Sequence, residues 1–300
     1  MNKKIFSFIC AFLTSFIWGT GFIAQDMGMD YIGPITFSFV RLSLGFATLL
    51  PFFFIMELEK IKKVNFNYNK VCLYFVFIGF LLAYGITLQQ YALLYTDVAN
   101  TAVYTVLYVV LVPFVSYFFF SKKIHWSIWP SILVCMTGSF LLTEIQNIQV
   151  RIGDSFAFIN AFFWAFHIVF ISRLIKIFNF PFTIAAFQCF FGAILLLVPM
   201  LIFEEFVFVK ILLEWKELLY IGVLSSGVAF LLQVYSQQNL NPVPVAIIFT
   251  MEGVWAAFFG WIILDQFLNE IKIFGIILIL SAVIFSQLAP IYGKKYYGRN

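Results

Sequence analysis

The stretch AFLTSFIW, Ala11 to Trp18, returns 146 residues later as AFINAFFW, Ala157 to Trp164. Other matches follow in the same order. PIT at Pro34 returns as PFT at Pro181, and Gly45 returns as Gly192, both at an offset of 147. LQQY at Leu88–Tyr91 returns as LQVY at Leu232–Tyr235, at an offset of 144. Matched apolar letters carry little information in so hydrophobic a chain, so the matched Trp, Pro, Gln, Tyr and Gly bear the weight. The sequence therefore reads as two related units, residues 1–147 and 148–292, followed by a basic tail over 293–300.

The composition says what kind of unit repeats. The chain is 63% hydrophobic and only 11% charged, with a mean hydropathy of +1.00 over 300 residues. A soluble domain of this length needs far more charge to cover its surface. A helix crossing a hydrocarbon core ~30 Å thick takes about 20 mostly apolar residues. Ten such stretches are present, near 4–25, 33–56, 70–94, 98–120, 126–143, 153–176, 181–203, 216–238, 243–264 and 271–290. The longest connections, 57–69 and 204–215, are too short to hold a soluble domain. The runs are unbroken rather than alternating, which argues against a transmembrane barrel. The first run follows Lys3 and Lys4 but is too long for a signal-peptide core, so it is read as a helix. Cys10, Cys72, Cys135 and Cys189 fall inside apolar runs without a CxxC pair, as small buried hydrophobes do. The fold class is thus an all-α polytopic membrane protein.

Charge gives the orientation. If the N-terminus is cytoplasmic and the spans alternate, the inner side holds thirteen basic residues: Lys3, Lys4, Lys60, Lys62, Lys63, Lys70, Lys122, Lys123, Arg173, Lys176, Lys294, Lys295 and Arg299. The outer side holds four: Arg151, Lys210, Lys216 and Lys272. That bias follows the positive-inside rule and predicts a multi-pass protein of the cell membrane with both termini cytoplasmic. The net charge of +4 reflects this topology, and nucleic acid is not expected as a partner.

Five spans per unit is an odd number, so the second unit enters the bilayer upside down. The architecture predicted is ten transmembrane helices as two inverted five-helix repeats. Inverted repeats can pack in two related ways, one open to each side, around a site near the midplane. That is the basis of alternating access.

Four motifs in order sharpen this reading: WGTGF at 18–22, Pro34 followed by Arg41, GDSFAFINAFFWAFHIV at 153–169 and MEGVWAAFFGWIILDQ at 251–266. Together with the duplication they make the chain resemble, over nearly its whole length, the EamA family of the drug/metabolite transporter superfamily. The resemblance implies ten helices in two inverted halves and the export or exchange of small metabolites. Two positions depart from the family pattern. Gly253 stands where Met-Glu-Pro is usual, and Asp265–Gln266 where Gly-Glu usually closes the helix.

Polar residues within the spans are the candidates for a substrate pathway. Glu252 lies about 10 Å inside the ninth span. A charge at that depth costs at least about 2.5–3.5 kcal/mol, so it needs a proton, a cation or water beside it. It can serve proton coupling, meet a cationic group of the substrate, or tie two helices together. Trp255, three residues on, shares its face and can receive a cation or simply pack. His167 and Trp164, likewise three apart, form a second polar face; a hydrogen bond between helices would account for His167 equally well. His125 lies at a connection. Gln89 and Gln233 are repeat mates, expected to line a shared cavity or to join helices. Arg41, about 12 Å into the second span, can snorkel to the outer interface, pair with a carboxylate or bind an anionic substrate; its repeat mate is the uncharged Gln188. Trp18, repeat mate of Trp164, and Tyr108 complete the pathway set. Gly253, Pro242 and Pro244 are candidate hinge residues, with NPVP at 241–244 starting the ninth helix.

No HExxH, GxSxG or Walker motif is present, and no metal site or cofactor is expected. The leading function is a secondary transporter, exporting or exchanging amino-acid-like or amphipathic metabolites. An intramembrane enzyme acting on lipid and a passive channel are the alternatives. The partners expected are a small-molecule substrate, the lipid bilayer and protons as a candidate coupling ion, with the protein a monomer or a homodimer.

Overall fold

The computed structural model describes residues 2–96, 98–122, 126, 128–142, 151–263 and 268–297. Asp97, His125, Glu144, Asp265, Gln266 and residues 298–300 of the basic tail lie outside that set.

Among the described residues the structure is helical throughout. The main helices are α1 (Lys3–Met27), α2 (Pro34–Lys62), α3 (Tyr68–Tyr95), α4 (Val98–Val106 and Tyr108–Phe120), α5 (Ile128–Leu142), α6 (Ile152–Ile177), α7 (Pro181–Phe203), α8 (Trp215–Asn239), α9 (Pro242–Phe249 and Met251–Ile263) and α10 (Glu270–Tyr297), with a short helix, Phe208–Leu213, between α7 and α8. Nine are long and apolar enough to cross a membrane; the tenth, α5, is a shorter apolar helix. Their order is that of the ten predicted spans. Large apolar side chains such as Ile55, Leu133, Phe203 and Ile202 point outward, more than half exposed, as befits a surface facing lipid. Of the cysteines, Cys10, Cys135 and Cys189 are buried as expected, whereas Cys72 faces outward.

The duplication is visible in the contacts. Glu57, near the end of α2, receives the backbone N–H of Phe182 (3.1 Å) and of Thr183 (2.7 Å) at the start of α7. Its repeat mate Glu204, at the end of α7, receives the N–H of Ile35 (2.9 Å) and Thr36 (2.7 Å) at the start of α2. Each carboxylate satisfies orphan donors and complements the positive end of the partner helix. The antiparallel pair α2–α7 is thus clasped at both ends. The crossings obey the same symmetry. Gly45 backs onto Ser226, and a Cβ there would lie 2.8 Å from the serine Cβ; its mate Gly192 likewise packs closely, against Gly79 at the α3–α7 crossing.

Two helices are interrupted. In α4 the helix breaks at Leu107, and in α9 at Thr250, one residue short of an offset of 144. At these points the bonding shortens locally, from Leu107 N–H to the Tyr104 carbonyl and from Gly253 N–H to the Thr250 carbonyl. Thr250 also turns its hydroxyl onto the Ile247 carbonyl at 2.7 Å. Pro242 sits in the first turn of α9, directly after Asn241 at the N-cap position, where a missing N–H costs nothing.

Candidate substrate site

The breaks place Tyr108 and Glu252 just beyond them, and these two residues are themselves repeat mates. The Tyr108 hydroxyl donates to Glu252 Oε1 at 3.4 Å. Trp18 and Trp164, also repeat mates, have ring centroids 5.6 Å apart. A residue that touches its own mate must lie beside the axis relating the two repeats, because the rotation carries each into the other. Both pairs therefore mark the pseudo-twofold axis, and both line one enclosed cavity.

That cavity collects side chains from α1, α2, α3, α4, α6, α8 and α9. Its polar members are Gln25, Arg41, Gln89, Thr105, Tyr108, Ser225 and Glu252, with Trp18, Phe22, Trp164, Ile168 and Phe230 as the apolar walls. The enclosed volume is about 20 Å³, far below the several hundred Å³ of a metabolite pocket. This conformation is closed around its polar groups.

Arg41 is 3% exposed and does not snorkel. Its guanidinium donates to Gln25 Oε1 at 2.8 Å, Ser226 Oγ at 3.1 Å and Ser225 Oγ at 3.2 Å. Among the described residues no carboxylate pairs with it. The two consecutive serines reach one guanidinium from a π-helical stretch, Tyr220–Ala229, of α8. Nothing in the sequence announces a π-helix, and the serines were not singled out from it. Gln25 was missed for another reason: it lies at the end of α1, where a polar residue is ordinary.

Glu252 is 5% exposed, and among the described residues its side chain is hydrogen-bonded to Tyr108 alone. The cavity thus holds a cationic group with neutral partners and a carboxylate with one neutral partner. No bond joins the two. Beside them Gln89 (3.5 Å) and Asn160 (3.0 Å) both donate to Thr105 Oγ1, and the buried Trp164 Nε1 finds no acceptor among the described residues. A buried, uncompensated guanidinium attracts an oxyanion and a buried carboxylate attracts an ammonium.

Six of the nine predicted pathway residues meet here: Trp18, Arg41, Gln89, Tyr108, Trp164 and Glu252. Three stand apart. Trp255 turns from Glu252 to pack edge-on against Phe12 and Phe16, at 5.4 and 5.1 Å. His167 is fully buried one layer off, with Nε2 2.8 Å from Gln188 Oε1 and its ring edge-on to Trp164. Gln233 is fully buried outside the lining, and its amide has no partner among the described residues. The departure of Gln233 from its mate Gln89 has a physical cause. The π-helical stretch of α8 has no counterpart in α3, which is α-helical throughout, so residues beyond it are rotated. Gly253 has open space: a Cβ there would meet only Leu142, at 3.7 Å. The helix break falls three residues earlier, at Thr250.

The EamA-like transporter family model matches residues 5–144 and again residues 151–288. The chain belongs to the EamA-like transporter family. Its two matches are the two repeats, and membership makes it a membrane transporter rather than an enzyme. Among EamA-like relatives, an uncharacterized transporter of Archaeoglobus fulgidus is 27% identical over 95% of this chain and 87% of its own length. The uncharacterized transporter YoaV of Bacillus subtilis is 25% identical, covering 89% of this chain and 91% of its own. A crystal structure with 15% identity superposes with a TM-score of 0.78 over 94% of this chain and 96% of the other, which shows a shared fold.

Proposed function

We propose that this EamA-like chain is a secondary carrier that exports or exchanges small zwitterionic, amino-acid-like metabolites by alternating access. The observation that carries this reading is the pairing of Arg41 and Glu252 in one cavity on the pseudo-twofold axis, unbonded to each other. A zwitterion answers both groups, its carboxylate to Arg41 and its ammonium to Glu252. Aromatic walls suit an amphipathic body and a cation near Glu252. The small volume fits a closed intermediate, which must widen toward one face at a time to admit a metabolite.

Inverted symmetry supplies two such openings from one fold. The repeats are taken as 1–147 and 148–292, with the 293–300 tail and the N-terminus both cytoplasmic on the positive-inside bias. Protons are the proposed coupling ion, with Glu252 alternating between proton and substrate ammonium. The test is a metabolite panel. Cells expressing the protein should export at least one amino-acid-like compound faster than cells expressing Glu252→Gln. Equal export of every compound by both would sink the proposal.

A further inference from the structure

At the Lys3 end of the molecule a second space, about 590 Å³, opens as a groove between the start of α1 and the ends of α6 and α8. It is lined by Lys3, Lys176, Asn179, Gln238 and Asn239 over a floor of Phe6 and Ile175. The same three helices wall the central cavity through Trp18, Ile168 and Phe230. Along the helix axes the residues of the groove lie about 10–22 Å beyond those residues. It therefore lies on the Lys3 side of the cavity, between three helices that also wall the cavity.

Basic side chains predominate at this mouth. Arg173, one turn before Lys176 on α6, lies over the Phe120 ring at 5.4 Å. Lys122 follows the left-handed Ser121 that ends α4, its N–H held by the Ser116 carbonyl at 3.3 Å. That cap sets it beside Lys176. Burial, together with Lys176 and Arg173, brings Lys122 down to about 8. None of Lys3, Lys122, Arg173 and Lys176 meets a carboxylate among the described residues. Of the acids at this end, Glu57 is committed to Phe182 and Thr183, and Glu59 is paired with Lys62. Cations gathered round an amide-lined groove, none of them ion-paired among the described residues, form a receptor for an oxyanion.

We infer that this groove is the entry site for the oxyanion end of the transported solute, captured there before it reaches Arg41. The inference rests on reading the chain as a carrier whose Lys3 end is cytoplasmic. Lys3 and Lys176 supply attraction; the Asn179 amide supplies donors, as does the second N–H of Gln238, whose Nε2 also donates to Asn179 Oδ1 at 2.8 Å, and of Asn239, whose Nδ2 also donates to Ser7 Oγ at 3.0 Å. A field of one sign in a concave mouth raises the local concentration of counter-charged solute and its rate of arrival. It also turns the solute so that its carboxylate leads toward Arg41.

The test needs no known substrate and no flux. In full-length protein carrying Cys72→Ser, which removes the one outward-facing thiol, Asn239→Cys is reacted with anionic and cationic methanethiosulfonates. The rate ratio is referred to a small free thiol, and Tyr31→Cys at the other end is the control. We expect the anionic reagent to be favoured by about tenfold at Asn239→Cys, and the preference to fall at least threefold in Lys3→Gln/Lys176→Gln, with Tyr31→Cys unmoved. Millimolar inorganic phosphate or succinate should slow the reaction in nanodiscs of phosphatidylcholine. A ratio equal to the control overturns the inference. So does protection given only by phosphatidylglycerol nanodiscs and by neither soluble anion, which would make the groove a lipid headgroup site. If the chemistry holds while no metabolite is exported, the carrier reading fails and the anion site stands.

Discussion

Arg41 and Glu252 differ in how they are held, and that difference predicts how each responds to substitution. The guanidinium spreads across Gln25, Ser225 and Ser226. A lysine keeps the charge but not the planar fork. Arg41→Lys should therefore fold and lose about tenfold in kcat/KM, about 1.4 kcal/mol, measured as initial export rate against substrate concentration. An unchanged value would remove Arg41 from the site. Glu252→Gln keeps the shape and the acceptor for Tyr108 but neither binds a proton nor carries charge. It should abolish the pH dependence of transport between pH 5 and 9, read from flux across that range; a retained pH slope would move coupling elsewhere. Tyr108→Phe removes the tyrosine hydroxyl's hydrogen bond to that carboxylate and should shift the pH profile without abolishing flux. At this scale the sequence was informative where a polar residue interrupts a long apolar run, as Glu252, Arg41 and Gln89 do. It was silent where the polar residue is small. Ser225 and Ser226 are ordinary in a membrane helix, and only the π-turn aims both at one guanidinium. Trp255 shows the opposite error: sharing a face with Glu252 by spacing did not bring it to the cavity, because Phe12 and Phe16 offered it an aromatic pocket.

Among the elements, α2 and α7 depend on carboxylates near their C-terminal ends. Replacing Glu57 by Gln leaves one acceptor oxygen where two N–H groups now donate to two. The loss should be about 1–2 kcal/mol, seen as a lower melting temperature in detergent, and Glu204→Gln should show a similar drop. A melting temperature unchanged in both would mean the clasps contribute nothing. The α5–α10 pair depends on close approach instead. A Cβ on Gly138 would stand 2.7 Å from the Gly275 carbonyl oxygen, and one on Gly275 the same distance from that of Gly138. Gly138→Leu should cost about 1–3 kcal/mol by overpacking, again read by thermal unfolding, while Gly253→Ala, where space is open, should cost little through packing. The ends of the helices were legible from Pro34, Pro181 and Pro242. The breaks at Leu107 and Thr250 were not, since neither residue is a strong helix breaker. They arise where α4 and α9 meet across the axis.

For the whole molecule, the duplication was readable from a handful of matched Trp, Pro, Gln, Tyr and Gly residues, and with it the ten-helix inverted architecture. What pattern alone could not supply was which matched residues sit on the axis. Contacts between repeat mates, Tyr108 with Glu252 and Trp18 with Trp164, reveal that. The mates Arg41 and Gln188 show where the symmetry is broken. One half places a guanidinium in the cavity, and the other places an amide against His167, outside it. The central claim is that this axial cavity is the substrate site of a carrier. The most direct measurement is counterflow in proteoliposomes loaded with labelled amino-acid-like compounds. External unlabelled compound should accelerate efflux for at least one of them, and both Arg41→Lys and Glu252→Gln should blunt that acceleration. Absence of acceleration across the panel, or wild-type acceleration in both variants, would contradict the account.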